Sequence, residues 1–331
     1  MGIKLMVDAT ADLQADFLSL HPEIIVIDTP ILATGKDGVT EFHRQTPDDF
    51  IKIDKEYFQK GYRITTSQPI MMSEEKNGPE TVSDLVRETV QDGYSVLYLT
   101  MGSGMSGTYQ LAKLCFEELR EELGLPEDKL FALDSRCMST GTNYLIQEIY
   151  EHFDLSSMDS VWPIVEFVEE ERGHIVHLFT WSKLDYIVKS GRVSTIKAFA
   201  AKLIRFIPIG ACVYLPEGER KLELVNGIHS VRSISAFSRV LAGYIQNHLA
   251  TADTPVTIAY ANNPETGKAV ADKLRELLPN VRIISALRLS SAIQAHGGPT
   301  SLHINFRADI EPTLAETQKE MIELISSARK A

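Results

Sequence analysis

Cysteine is scarce in this 331-residue chain. Cys115, Cys137 and Cys212 are the only three. They are too few and too scattered for a disulfide framework or a zinc site, so a reducing cytoplasm is the simplest setting. Positive charge is also short: Lys and Arg number 33 against 45 Asp and Glu, a net charge of −12. No nucleic-acid partner is expected without a strong local basic patch. Long apolar runs are missing too. The greasiest stretch, AFAAKLIRFIPIGACVYL from Ala198, is interrupted by Lys202, Arg205 and Pro208, and it cannot span a bilayer. The start, MGIKLMVDAT, has no apolar signal core, so neither a transmembrane nor an export segment is predicted. Neither H-E-x-x-H nor a Walker lysine loop occurs, so neither of those signatures for metal or nucleotide chemistry is present.

What is there reads as an α/β chain long enough for about two domains of roughly 150 residues. Ile3–Val7, Ile24–Ile27, Val96–Thr100 and LFALDS (130–135) are strand-like. Leu111, Cys115, Leu119 and Leu123 mark a helical stripe, and a second helix is expected from about Thr142. Strands separated by helical crossovers predict an amino-terminal parallel-sheet layer fold over residues 1–155. Beyond it, HIVHLFTW (174–181), Val256–Tyr260 and Ser301–Phe306 read as strands, and Pro216-Glu217-Gly218 as a hairpin turn. A helix from Ser230 carries Ile234, Phe237, Leu241 and Ile245, and another helix closes the chain. Residues 156–331 are therefore expected to form a carboxy-terminal α/β domain with a mixed sheet.

The chemistry begins in VLYLTMGSGMSGTYQLAK (96–113), where Gly102, Gly104 and Gly107 spell G-x-G-x-x-G between a strand and a helix. Unpaired N–H groups at a helix start, together with the helix dipole, favour an anion there. A dinucleotide loop should instead lie in the first βα unit, with an acid about 20 residues on. Here the loop comes later, Asp134 is 27 residues past Gly107, and Ser103 and Ser106 have no use in a cofactor loop. Shaping a tight turn, with Ser106 capping the helix, is the plain structural alternative.

Other segments carry similar chemistry. RITTSQPIM (63–71) sets three hydroxyls before a glutamine, and Pro69 pushes Gln68 away from helical geometry. Between Lys183 and Arg205 stand six basic residues and one acid, Asp185, inside an acidic chain. Arg192, after Gly191, has a guanidinium suited to gripping a carboxylate. SAIQAHGGPTSL (291–302) places His296 before two glycines and a proline.

Taken together, DATADL, TTSQP, GSGMSGTYQLA, LDSRCMSTG, KSGRVS and AHGGPTSLHI resemble the DegV family in their order, from about residue 3 to 306. That family includes the fatty-acid-binding B subunits of bacterial fatty acid kinase. The resemblance implies a two-domain α/β protein with a long-chain fatty acid buried between or within its domains. It implies no cofactor and no catalytic residues of the chain's own. A separate ATP-dependent kinase subunit would phosphorylate the presented carboxylate. By motif, Thr66, Ser67 and Ser106 match the carboxylate-binding hydroxyls, and Arg192 and His296 the charged residues near the head group. The sequence departs from the family where Asp8-Ala9-Thr10 replaces Asp-Ser-Thr, where Gly102-Ser103 replaces Ser-Ser, at Thr300, and in a longer stretch over 71–82.

An acyl tail of about 16 carbons gains roughly 0.8 kcal/mol for each buried CH₂, before binding costs. Its carboxylate must then find partners. Ala198, Phe199, Leu203, Ile204, Phe206 and Ile207 are candidates for the tunnel wall. The competing class is a hydrolase or transferase on a small acidic substrate, with Ser106 as nucleophile and His296 as base.

Overall fold

The structure is a computed structural model, and it describes residues 2–72, 80–181, 184–190, 207–214, 220–226, 231–310 and 312–328. Its first sheet is wholly parallel, in the order β2 (Ile25–Ile27), β1 (Ile3–Asp8), β6 (Ser95–Thr100), β7 (Leu130–Asp134). All six residues of β6 are buried, as befits a central strand covered on both faces. Alternation along the strands divides the core. Ile3, Leu5, Val7, Leu97 and Leu99 face α5 (Thr140–His152) and α6 (Trp162–Glu171). Met6, Val96 and Tyr98 face α3 (Val82–Gln91) and α4 (Thr108–Leu123). The second sheet is mixed and six-stranded, ordered β10 (Arg220–Leu224), β9 (Ile209–Tyr214), β8 (Ile175–Thr180), β13 (Leu302–Arg307), β11 (Val256–Tyr260), β12 (Ile283–Arg288). Only β11 and β12 run parallel. Its core is closed by α8 (Ile234–His248), α9 (Pro264–Leu277) and α11 (Leu314–Ala328).

Two α/β layers, one parallel and one mixed, match the fold the sequence predicts. Several particulars differ. The buried face of α4 is Thr108, Ala112, Cys115, Phe116 and Leu119; of the expected stripe Cys115 and Leu119 are buried, Leu123 is half-buried and Leu111 is 40% exposed, its place taken by Ala112 and Phe116. β9 and β10 pair antiparallel as a hairpin would, although the turn at 216–218 lies outside the described residues. Val161, Ile164, Val165 and Val168 of the α6 region join the core of the first sheet, so the apolar contacts of that sheet extend past residue 155.

A third sheet has no counterpart in the sequence reading. β3 (Ile31–Gly35) pairs antiparallel with β4 (Gly38–Phe42) and with β5 (Arg63–Thr66). Its apolar face packs with Phe50 and Ile53 of α2 (Asp49–Glu56), with Tyr186 of α7 (Leu184–Ser190) and with Ala295 of α10 (Ser291–Gly297). Phe58 stacks on Tyr186, with ring centroids 3.6 Å apart. This small sheet packs against α7 and α10 and carries the end of β5 up to α10.

Candidate functional site

The glycine loop follows β6 at the carboxyl end of the parallel sheet, the edge where open α/β sheets place ligands. Three carboxylates shape this neighbourhood. Asp8, at the end of β1, accepts hydrogen bonds from the Tyr98 hydroxyl and the Met101 amide, both at 2.5 Å. Asp134, at the end of β7, accepts from the Ser103 amide at 3.0 Å and the Ser103 hydroxyl at 2.5 Å. Asp12 holds Ser139 by its hydroxyl. Burial pushes the Asp8 and Asp12 carboxyls up to about 6, against the hydrogen bonds that favour their charged forms.

Close contacts account for the first glycine without a nucleotide. A Cβ on Gly102 would lie 2.9 Å from the Arg136 carbonyl carbon and 3.0 Å from the Cys137 nitrogen. The neighbouring turn, between β7 and α5, is what demands a glycine there. At Gly107 the nearest atom would stand at an ordinary 3.6 Å. Asp134 serves as an anchor for the loop, its carboxylate taken up by Ser103 and the Arg136 amide.

Four of the five expected ligand residues line one cavity of about 60 Å³: Thr66, Ser67, Ser106 and His296. Thr66 ends β5, and its hydroxyl lies 2.9 Å from Nε2 of His296 in the last turn of α10. The Ser67 amide donates to the Pro30 carbonyl at 2.9 Å, and its hydroxyl reaches Glu41 at 3.4 Å. TTSQP is thus a strand end and loop. Ser106 lies 2.9 Å from the Thr108 hydroxyl and 3.4 Å from Oε1 of Gln68, and Thr108 donates to the same Gln68 oxygen at 2.6 Å. Arg192 lies outside the described residues, as do Ala198, Phe199, Leu203, Ile204 and Phe206 of the expected wall. Ile207 is described, and it packs against the core of the mixed sheet.

Sequence reasoning missed much of the enclosure. Thr108 is 4% exposed and faces the cavity beside Ser106. The apolar side is made by Met101, Met105, Met138, Phe179, Trp181, Ile187 and Leu222, several of which form a single cluster. Phe179 and Trp181 stack with centroids 5.0 Å apart. Met101 and Met105 stand inside the glycine loop, a signal that was available; the others come from the turn between β7 and α5, from β8 and the residue after it, and from α7 and β10, and meet only in the fold. His303 also lines the cavity. Burial pushes its imidazole down to about 3, so it is neutral.

The geometry bears on the enzymatic alternative. His296 engages Thr66, while Ser106 engages Thr108 and Gln68. A nucleophile–base pair would need Ser106 directed at His296. Among the described residues no cluster of three or more His, Cys, Asp or Glu could hold a metal ion, and no helix is long and apolar enough to cross a membrane.

An α/β protein of two main sheets, with an apolar cavity rimmed by hydroxyls at the end of its parallel sheet, is the class these features define. A sequence model describing uncharacterised proteins of the DegV family matches residues 2–309, and the chain belongs to the DegV family. A DegV domain-containing protein of Clostridium perfringens is 25% identical over 258 residues, 78% of this chain and 84% of its own. Among solved structures, a stearic-acid-binding protein of Eubacterium ventriosum superimposes with a TM-score of 0.72 at 17% identity, covering 92% of this chain and 98% of its own. The Streptococcus pneumoniae fatty acid kinase B3 protein, loaded with linoleic acid, gives 0.69 at 16% identity, covering 93% and 100%. At such identities these structures show the shared fold.

Proposed function

We propose that this protein binds a long-chain fatty acid without a cofactor and holds its carboxylate at Thr66, Ser67, Ser106 and His296, with Arg192 as a further charged partner. The observation that carries the reading is convergence. Thr66, Ser106 and His296 come from a small antiparallel sheet, a glycine loop and a short helix, and all three line one cavity. Hydroxyls donate to a carboxylate at about 1.5–3 kcal/mol per bond to a charged group. The methionine and aromatic side gives an acyl tail an apolar surface. That a stearic-acid-binding protein and a linoleic-acid-loaded protein share the fold supports the same reading.

The cavity of about 60 Å³ is well below the roughly 300–1,000 Å³ of pockets that hold drug-sized ligands. Binding a long chain therefore requires the methionine side of the cavity to move outward, which unbranched, flexible side chains do at low cost. In this reading residues 1–155 and 156–331 are the two domains, and the protein works in the cytoplasm as a carrier. A partner kinase subunit supplies ATP and the catalytic groups, and this chain supplies the positioned carboxylate. Organic extraction of the purified protein followed by mass spectrometry tests it. A long-chain fatty acid near one equivalent is expected; its repeated absence, with no binding of added oleate, overturns the reading.

A further inference from the structure

Asp12 is buried to 3% exposure and has a left-handed backbone, with φ of 55°. It does not line the cavity, yet it connects two elements that do. One carboxylate oxygen accepts the Ser290 amide at 2.6 Å, and Ser290 is the residue that caps α10. The other accepts the Ser139 hydroxyl, and the same Ser139 oxygen lies 2.9 Å from Nδ1 of His303. The Asp12 carbonyl takes a third contact, from the Asn143 amide at 2.9 Å. Gln14 secures the same chain segment from beside it: Oε1 accepts the Arg288 amide at 3.0 Å, and Nε2 donates to the Arg288 carbonyl at 3.2 Å.

We propose that Asp12 is the positioning residue of the head-group site, setting His296 through α10 and His303 through Ser139. This rests on the fatty-acid reading and adds a residue that reading does not contain. The physical reason lies in how short the two paths are. From Ser290 to His296 the chain is a single rigid helix of seven residues, five of them buried. From Asp12 to His303 only one side chain intervenes. A carboxylate can accept at both oxygens at once, whereas an asparagine offers one acceptor and turns an amide against the second donor. Asp12→Asn therefore either turns its amide against the Ser290 N–H and releases α10, or reverses the Ser139 bond, the amide donating to the hydroxyl oxygen and the hydroxyl proton turning toward Nδ1 of His303.

Titration of oleate into the Asp12→Asn protein, with wild type, Gln14→Ala and Ser139→Ala alongside, measures the effect. Asp12→Asn is expected to weaken oleate binding at least tenfold, and Ser139→Ala and Gln14→Ala about threefold each. NMR of the histidine rings supplies a reading that lost stability alone does not move: Asp12→Asn shifts both the His296 and His303 resonances, and Ser139→Ala shifts His303 with His296 unmoved. A folded Asp12→Asn protein with wild-type oleate affinity and unshifted rings overturns the proposal. If Asp12→Asn does not fold, unchanged affinity and rings in Ser139→Ala overturn it. Should wild type bind no oleate, the fatty-acid reading fails by itself. The ring spectra then decide the positioning claim: unshifted rings in Asp12→Asn sink it and shifted rings sustain it.

Discussion

The two sides of the cavity are built on different principles. The polar side, at the end of the parallel sheet, is held by named hydrogen bonds: Asp8 to Tyr98 and Met101, Asp134 to Ser103, Thr108 to Gln68. The apolar side, contributed largely by β8, α7 and β10, is held by packing, with Phe179 on Trp181 and Cys212 against Met105. Recognition of an anion needs donors in fixed places, since an ill-placed buried donor costs its full desolvation. Enclosure of a tail needs only apolar surface of about the right volume. Substitutions on the two sides should therefore fail differently.

The largest expected effect is on the packed side. Trp181→Ala removes a side chain 2% exposed and should cost about 3–5 kcal/mol of folding stability by urea titration. A loss under 1 kcal/mol would show that this side is not packed as described. Next come the hydroxyls. Thr66→Val or Ser106→Ala should weaken fatty-acid binding by about 1.5–3 kcal/mol each, roughly 10- to 150-fold, while thermal midpoints stay near wild type. Equal losses of affinity and stability would erase the contrast between the sides.

His303 gives a sharper test through pH. Its folded value near 3 lies below the ordinary 6.5, so the unfolded chain takes up a proton below pH 6.5 that the folded chain refuses. Stability is therefore lost as pH falls from 6.5 toward 3. Asp8 and Asp12, raised to about 6, act in the opposite direction, since the folded chain binds protons between pH 6 and 4 that the unfolded chain has released. His303→Asn removes only the first contribution. Between pH 7 and 5 the variant should lose about 2 kcal/mol less stability than wild type does; parallel curves would refute a neutral buried His303. The smallest effect is expected at Gly107→Ala, within about 0.5 kcal/mol, since an added Cβ meets nothing closer than 3.6 Å. The same change at Gly102 should cost about 1–3 kcal/mol, and equal costs would restore a common role for the glycines.

Much of this was legible in the chain. The apolar run Val96–Thr100 announced the strand β6, and the run of residues from Ile234 to Ile245 announced α8. The glycine loop could be read as anion-binding, the family resemblance added Thr66 and His296 to it, and the fold brings Thr66, Ser106 and His296 to one cavity. The third sheet was not legible. The first four residues of β4 are exposed and the fifth half-buried, and without a buried face there is no alternation to read. Leu111 was misplaced because a helical stripe read from apolar spacing does not say which neighbouring residue turns inward.

Local chemistry is what the sequence alone determined: the strand and helix periods, the acidic surface, the hydroxyl-bearing loops and the family resemblance they compose. The periods and the loops depend on residues within a few positions of one another, and the charge and the resemblance only on what stands where along the chain. The tertiary structure alone decided which acid serves which loop. Asp134 reaches Ser103 across 31 positions, Asp12 reaches Ser290 across 278, and Thr66 meets His296 across 230. Such pairings are fixed by how sheets stack and where helices start. A carboxylate or hydroxyl carries no mark of its eventual partner until burial removes water as the alternative.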